Sequence, residues 1–165
     1  MPRSPDQPPH REVVDVRFRE VDVYGVVWHG HFLDWLESAR HRFASHFGFD
    51  TMAALERGHR LPLVELHVEY RQPARFGDRV AVDIALEDDP RKVIAFRYQV
   101  RRAADGELLA TARTVQVVQG ADGELLVGWP DELDRLLAAM RSYAGGDSPA
   151  SSRSTIGNET QKRAP

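Results

Sequence analysis

The sequence contains no cysteine. That excludes disulfides, thiolate metal sites and a cysteine nucleophile, and a chain without disulfides fits the cytoplasm. It has no long apolar run, so neither a signal-peptide core nor a membrane span is expected, and stable membrane insertion is excluded on that ground. It also has little excess charge. The formal net charge of −3 gives no electrostatic reason to expect nucleic acid as a partner. The 165 residues suit one domain, long enough to bury a core without staples.

Both ends are poor in apolar residues. Residues 1–10 hold four prolines, and residues 144–165 (AGGDSPASSRSTIGNETQKRAP) are small and polar. Neither can offset the entropy of ordering, so both are expected to be disordered, with one folded domain at 11–143.

Inside that span the periodicity is readable. Val14, Val16 and Phe18 alternate with Asp15 and Arg17, which predicts a first strand. A turn follows from Glu20 to Gly25. Phe32, Leu36, Ala39, Phe43 and Phe47 then recur at helical spacing, and Leu33 and Trp35 widen the stripe. Gly48 stands where a left-handed cap belongs. The helix should run for about 17–19 residues, and its broad aromatic stripe calls for a sheet as cover. After Pro62 the period becomes two, with strands expected at 64–71, 80–87, 94–101 and 108–118. Their connectors are short and include Asp105-Gly106, a strong hairpin signal, so the sheet should be antiparallel. The hexapeptide ADGELL occurs at 104–109 and again at 121–126. The second copy predicts a short last strand near 124–128, after which Pro130 opens an amphipathic helix carrying Leu133, Leu136, Leu137 and Met140. A sheet curled on one long apolar helix would satisfy both surfaces, an α+β fold.

Chemistry concentrates where the first strand meets the long helix, from Phe18 to Phe32. Such a junction offers free backbone N–H groups and the positive end of the helix dipole, both suited to an anion or a developing oxyanion. Asp22 lies just ahead of that end, and Gly25 permits a tight path. An aspartate before a helix ordinarily serves as a cap or turn residue; placed beside an oxyanion site it could instead attack a carbonyl or activate water. His29 and His31 form an H-x-H pair, but residues i and i+2 of a helix face apart and no third ligand is close, so no metal site is expected.

These residues resemble a known family. The stretch V-R-F-R-E-V-D-V-Y-G-V-V-W-H-G-H-F-L-D-W-L-E-S-A-R (16–40) is similar to the opening of the 4-hydroxybenzoyl-CoA thioesterase family of hotdog proteins, and looks closest to its Tol–Pal-associated acyl-CoA thioesterase branch. The matching residues are Asp22, Gly25, Val26, Val27, Trp28, His29, Glu37, Ala39 and Arg40. A second block, V-E-Y-R-Q-P-A-R-F-G-D (68–78), resembles the family's strand-and-turn signature. The likeness spans about 12–141. It implies a hotdog fold: a curved antiparallel sheet of five to six strands on one central helix, in homodimers or homotetramers. It implies Asp22 as nucleophile or general base and His29 as catalytic histidine and backbone N–H donor. Tyr24, Gly25 and Trp28 are expected at the substrate, while Arg91 and Lys92 stand where the 4-hydroxybenzoyl-CoA enzyme grips the CoA phosphates, although ordinary solvated turn charges would look the same. The branch's tyrosine four residues before the aspartate is here Phe18, so its hydroxyl is missing or comes from Tyr24. Phe18, Trp28, Phe32 and Tyr70 are candidates for the acyl-pocket wall, or plain core. Glu37 and Arg40, at i and i+3, should form a structural ion pair.

The expected reaction is hydrolysis of an acyl- or aroyl-CoA to free acid and CoA, with no cofactor beyond the CoA that the substrate carries. Two other readings stand beside it. One is a thioesterase acting on an acyl carrier protein; the other is a hotdog protein that binds acyl-CoA without turnover. A hotdog dehydratase is disfavoured because the H-F-P-type motif is not found.

Overall fold

The structure, a computed structural model, describes residues 10–128 and 130–143. The expected disorder of the two ends therefore lies outside the described residues, except that His10 is structured. The first strand, β1 (His10–Asp15), starts earlier and ends sooner than its alternation suggested. The Glu20 carboxylate accepts the Arg17 N–H at 2.8 Å and turns the chain into a 3-10 turn over Phe18–Glu20. Phe18 is therefore not a strand residue, and its ring is 79% exposed.

The long helix α1 (His29–His46) has 18 residues, within the expected length. A short helix α2 (Thr51–Glu56) was not expected. It forms because Asp50 accepts the Met52 and Ala53 N–H groups at 2.8 and 3.2 Å, a side-chain cap. Strands β2 (Leu63–Tyr70), β3 (Arg79–Glu87), β4 (Ile94–Arg102) and β5 (Leu108–Gln116) follow, then α3 (Asp131–Ser142). The five strands make one antiparallel sheet in the order β1-β3-β4-β5-β2. Asp105-Gly106 turns β4 into β5 as predicted, with Gly106 at φ 75°. The second ADGELL copy makes a turn but no strand. Only Leu125 bridges, to Gln119, because Leu125, Leu126 and Val127 are exposed and have no face to bury.

Phe32, Trp35, Leu36, Ala39 and Phe43 of α1 form the core with Val80, Val82, Ile84, Leu86, Phe96, Tyr98 and Val100 of the sheet. Leu137 and Met140 of α3 close one side. Burial pushes the Tyr98 phenol up to about 12, and its hydroxyl lies 3.1 Å from that of Thr114. The edge strand β2 differs from its neighbours: seven of its eight residues are exposed, and Val68, half-buried, packs on the core, so most of the strand lacks cover.

Candidate active site

The segment after the 3-10 turn folds into a tight loop. Val21 and Val27 form an antiparallel bridge. Between them the Asp22 N–H donates to the Val26 carbonyl at 2.9 Å, and the Gly25 N–H donates to the Asp22 carbonyl at 3.0 Å. Gly25 sits at φ 72°, a conformation that costs any L side chain. The Tyr24 N–H donates to Asp22 Oδ1 at 2.8 Å. The carboxylate is thus oriented through one oxygen, and among the described residues Oδ2 has no partner.

Two long-range bonds fix this loop. The Val27 N–H donates to the Ala74 carbonyl at 2.8 Å, and the Trp28 N–H to the Glu20 carbonyl at 2.9 Å. Ala74 is fully buried, which explains why a small residue stands between Pro73 and Arg75 in the second sequence block. With the loop held, α1 starts at His29. Among the described residues, no acceptor takes the N–H of His29 or Gly30, while His31 donates to the Trp28 carbonyl at 2.9 Å. Two free donors therefore point out of the helix start, next to the loop that carries Asp22.

Gly30 was missed in the sequence. A Cβ there would lie 2.0 Å from the Trp28 ring, so only glycine lets the indole fold over the first turn. The W-x-G spacing was its one visible sign. Tyr70 does more than line a wall: its hydroxyl donates to the His29 carbonyl at 3.0 Å, and its ring meets Phe32 edge-on at 5.2 Å. Burial raises the Tyr70 phenol above its ordinary value. Glu20 was also unforeseen; its buried carboxylate and its carbonyl brace both sides of the Asp22 loop.

Asp22, Tyr24, Gly25, Trp28 and His29 thus share one loop and helix start. The remaining candidates divide. His31 Nδ1 lies 2.9 Å from Asp34 Oδ2, a contact along the helix rather than toward His29. Phe18 is too exposed to wall a pocket within one chain, and Phe32 is core. Glu37 and Arg40 form the expected ion pair. Arg91 and Lys92 lie in the β3–β4 turn, at the opposite end of β3 from the Asp22 loop. Nine residues of strand separate the two ends, or ~30 Å at 3.3 Å per residue. Moreover, Arg91 is bound to Asp89 at 2.8 Å and Glu65 at 2.6 Å, and its hydrogen bonds to Asp89 hold that carboxyl well below the usual carboxylate range. Within one chain, this pair and Asp22 do not meet.

A carboxylate on the loop that leads into two free backbone donors, with an imidazole at the helix start, is suited to adding water or an oxygen nucleophile to an acyl carbon. Comparison with known proteins agrees with that chemistry. The family model described as "Thioesterase-like superfamily" matches residues 16–137. The 1,4-dihydroxy-2-naphthoyl-CoA hydrolase of Synechococcus is 27% identical over 131 residues, covering 75% of this chain and 86% of that one. Among solved structures, TT1821 of Thermus thermophilus is 33% identical with a TM-score of 0.71, covering 79% of this chain and 98% of that one. The Synechocystis 1,4-dihydroxy-2-naphthoyl-CoA thioesterase Slr0204 shares the fold at 22% identity and a TM-score of 0.72, covering 78% of this chain and 94% of that one. Fold, site chemistry and the match over residues 16–137 together place this chain in the thioesterase-like superfamily, as a hotdog thioester hydrolase.

Proposed function

We propose that the enzyme hydrolyses acyl- or aroyl-CoA at Asp22, in the manner of the 4-hydroxybenzoyl-CoA and Tol–Pal-associated branch. The observation that carries this is the Asp22 loop, whose carboxylate is oriented through one oxygen and which leads into a helix start with free N–H groups at His29 and Gly30. The thioester carbonyl oxygen would accept those N–H groups. Asp22 then either adds to the acyl carbon or takes a proton from the water that does. In both forms the C–S bond breaks, CoA leaves as a thiolate and gains a proton, and one water is consumed. His29 is placed to orient water or to protonate the leaving sulfur. The reaction needs no metal or redox cofactor. The Synechococcus relative named as a naphthoyl-CoA hydrolase supports a CoA substrate.

A homodimer through β2 belongs to this reading. The strand has an open main-chain edge and exposes Leu63, Val64, Leu66 and Tyr70, an arrangement that soluble proteins cover. Antiparallel pairing of two β2 edges would set the start of one strand beside Tyr70 and His29 of the other copy. A cavity of about 470 Å³ lies at that start, lined by Arg40, Leu61, Phe96, Gln116 and Leu133 among others. Its volume is in the range of ligand pockets, and we assign it to the acyl group held by the second copy's Asp22. The same two-fold would bring the second copy's Arg91 and Lys92 toward this Asp22, so the phosphate grip expected of them rests on the dimer. The cysteine-free sequence fits a cytoplasmic enzyme; among the described residues, no helix is long and apolar enough to cross a membrane.

The test is Asp22→Asn, assayed on a panel of acyl- and aroyl-CoA esters. If Asp22 is central, kcat falls by at least about a hundredfold with fold and oligomer retained.

A further inference from the structure

Two cavities lie side by side where α3 meets the rest of the chain. The first is the one assigned above to the acyl group. The second, of about 480 Å³, lies between the end of α1, α2 and α3. Phe49, His59, Leu61, Leu133 and Leu136 line both. These five side chains are therefore the wall between the cavities, and four of them are apolar. All five are half-buried, as expected of side chains with open space on either hand. One turn further along α3, Leu137 and Met140 are each 2% exposed and fix the helix to the core.

The wall is firmer on one side than on the other. Phe49 and His59 follow Gly48 and Gly58, both at φ 80°, and their N–H groups donate to the Ala44 and Ala54 carbonyls at 3.1 and 2.9 Å. These are left-handed caps that end α1 and α2. The Leu61 carbonyl accepts the Gln116 side-chain amide at 2.7 Å. Leu133 and Leu136 stand instead on the first turns of α3, which has no side-chain cap. There the helix is tied to α2 by the Arg57–Glu132 pair at 3.5 Å, more than half exposed on both sides, a contact of the kind that adds little stability.

Inside, the second cavity is apolar. Phe47 and Ala54 join the wall residues as its buried and half-buried lining, while Asp50, Arg57, Glu132 and Arg135 are exposed around it. Those charges are engaged. Asp50 accepts the Met52 and Ala53 N–H groups, Arg57 pairs with Glu132, and Arg135 Nε donates to the Asp131 carbonyl at 3.3 Å.

We propose that the second cavity takes the far end of a long straight-chain acyl group whose near end fills the first, and that Leu133 and Leu136 set the acyl length the enzyme accepts. The proposal rests on the assignment of the first cavity to the acyl group presented by the second copy's Asp22. A half-buried apolar lining ringed by engaged charges gains most from hydrocarbon. A rigid aroyl group ends at the wall, whereas a methylene chain is thin enough to pass between two leucine side chains that change rotamer. The wall and the lining of both cavities come from one chain, so the partition does not depend on how a second copy docks.

The experiment measures kcat/KM for straight-chain acyl-CoA esters from hexanoyl to myristoyl, below micelle formation, with benzoyl-CoA beside them. Ala139 is exposed on α3 and lines the second cavity but not the first. Ala139→Trp should fill that cavity and lower the myristoyl-to-hexanoyl ratio of kcat/KM by about tenfold or more, since each buried methylene is worth about fourfold. Leu133→Ala/Leu136→Ala should open the wall and raise the same ratio; an unchanged or lowered ratio there would overturn the role of the two leucines. An unchanged ratio in Ala139→Trp would overturn the proposal. So would an equal loss on every ester, or a wild-type enzyme that cleaves benzoyl- and hexanoyl-CoA but not myristoyl-CoA. His41 is exposed on α1 and lines the first cavity but not the second, so His41→Trp should slow every ester. No effect of His41→Trp on any ester would sink the first-cavity assignment itself, whereas a general loss in His41→Trp with an unchanged ratio in Ala139→Trp would sink the second cavity alone.

Discussion

Two glycines decide whether the loop and the helix start can form. Gly25 at φ 72° would cost about 1–2 kcal/mol as alanine, and Gly25→Ala should lower both melting temperature and kcat because the same turn aims Asp22. Gly30 has an ordinary backbone but no room for a Cβ beneath Trp28. Gly30→Ala should displace the indole and shift its fluorescence, while Gly30→Ala/Trp28→Ala should recover the lost stability; unchanged fluorescence in the single variant would refute the stacking role. Asp89 is the residue-scale test of pH dependence. Its carboxyl is held low, first by Arg91 and then by Arg113. A depressed carboxylate contributes stability that is present above its unfolded value, near pH 4, and lost as pH falls through the folded one. Asp89→Asn should therefore melt lower than wild type at about pH 7, with the gap narrowing progressively below about pH 4. A gap that stays constant with pH would count against this network. That Asp22, Gly25, Trp28 and His29 fall together in one loop and helix start was legible because they lie within eight consecutive residues. Tyr70 and Ala74 were not legible as partners of that loop. The hydroxyl of Tyr70 acts on a residue 41 positions away, a distance that no periodicity reports.

At the scale of elements, β2 makes the sharpest demand. Its apolar side chains and main-chain edge lack cover in one chain. Leu66→Lys, on that open edge, should drive the protein toward monomer in sedimentation, and activity should fall with the dimer if the cavity beside Pro62 serves the second copy's Asp22. A monomeric variant with full activity would separate the site from the interface. The long helix and the strands of the β3–β4–β5 meander were readable because the large apolar residues packed on the core keep the period of their element, even in β3, where the small residues and Asp83 of the other face are buried too. The errors fell where a local bond overrides that period. The buried Glu20 carboxylate ends β1 before Phe18, Asp50 caps a helix too short to show periodicity, and the second ADGELL turn leads into residues with no sheet to join.

At the scale of the molecule, the antiparallel sheet wraps α1 so that the helix start emerges next to the loops at one end, and that end carries Asp22 and the free N–H pair. The sequence could signal the wrapped helix through its two apolar patterns, but not that Arg91 and Lys92 stand at the far end of β3 from Asp22, since the strand order is set by long-range pairing. In the proposed dimer one domain would present half of two composite sites, with its own Asp22 at one end of β2 and the cavity at the other. Hydrolysis is assigned above all to Asp22, and the most direct test is steady-state hydrolysis of the acyl- and aroyl-CoA panel by Asp22→Asn beside wild type, with circular dichroism and sedimentation confirming an intact fold and assembly. The predicted result is loss of at least about a hundredfold in kcat on every ester that wild type cleaves; hydrolysis at the wild-type rate by the intact variant would contradict it.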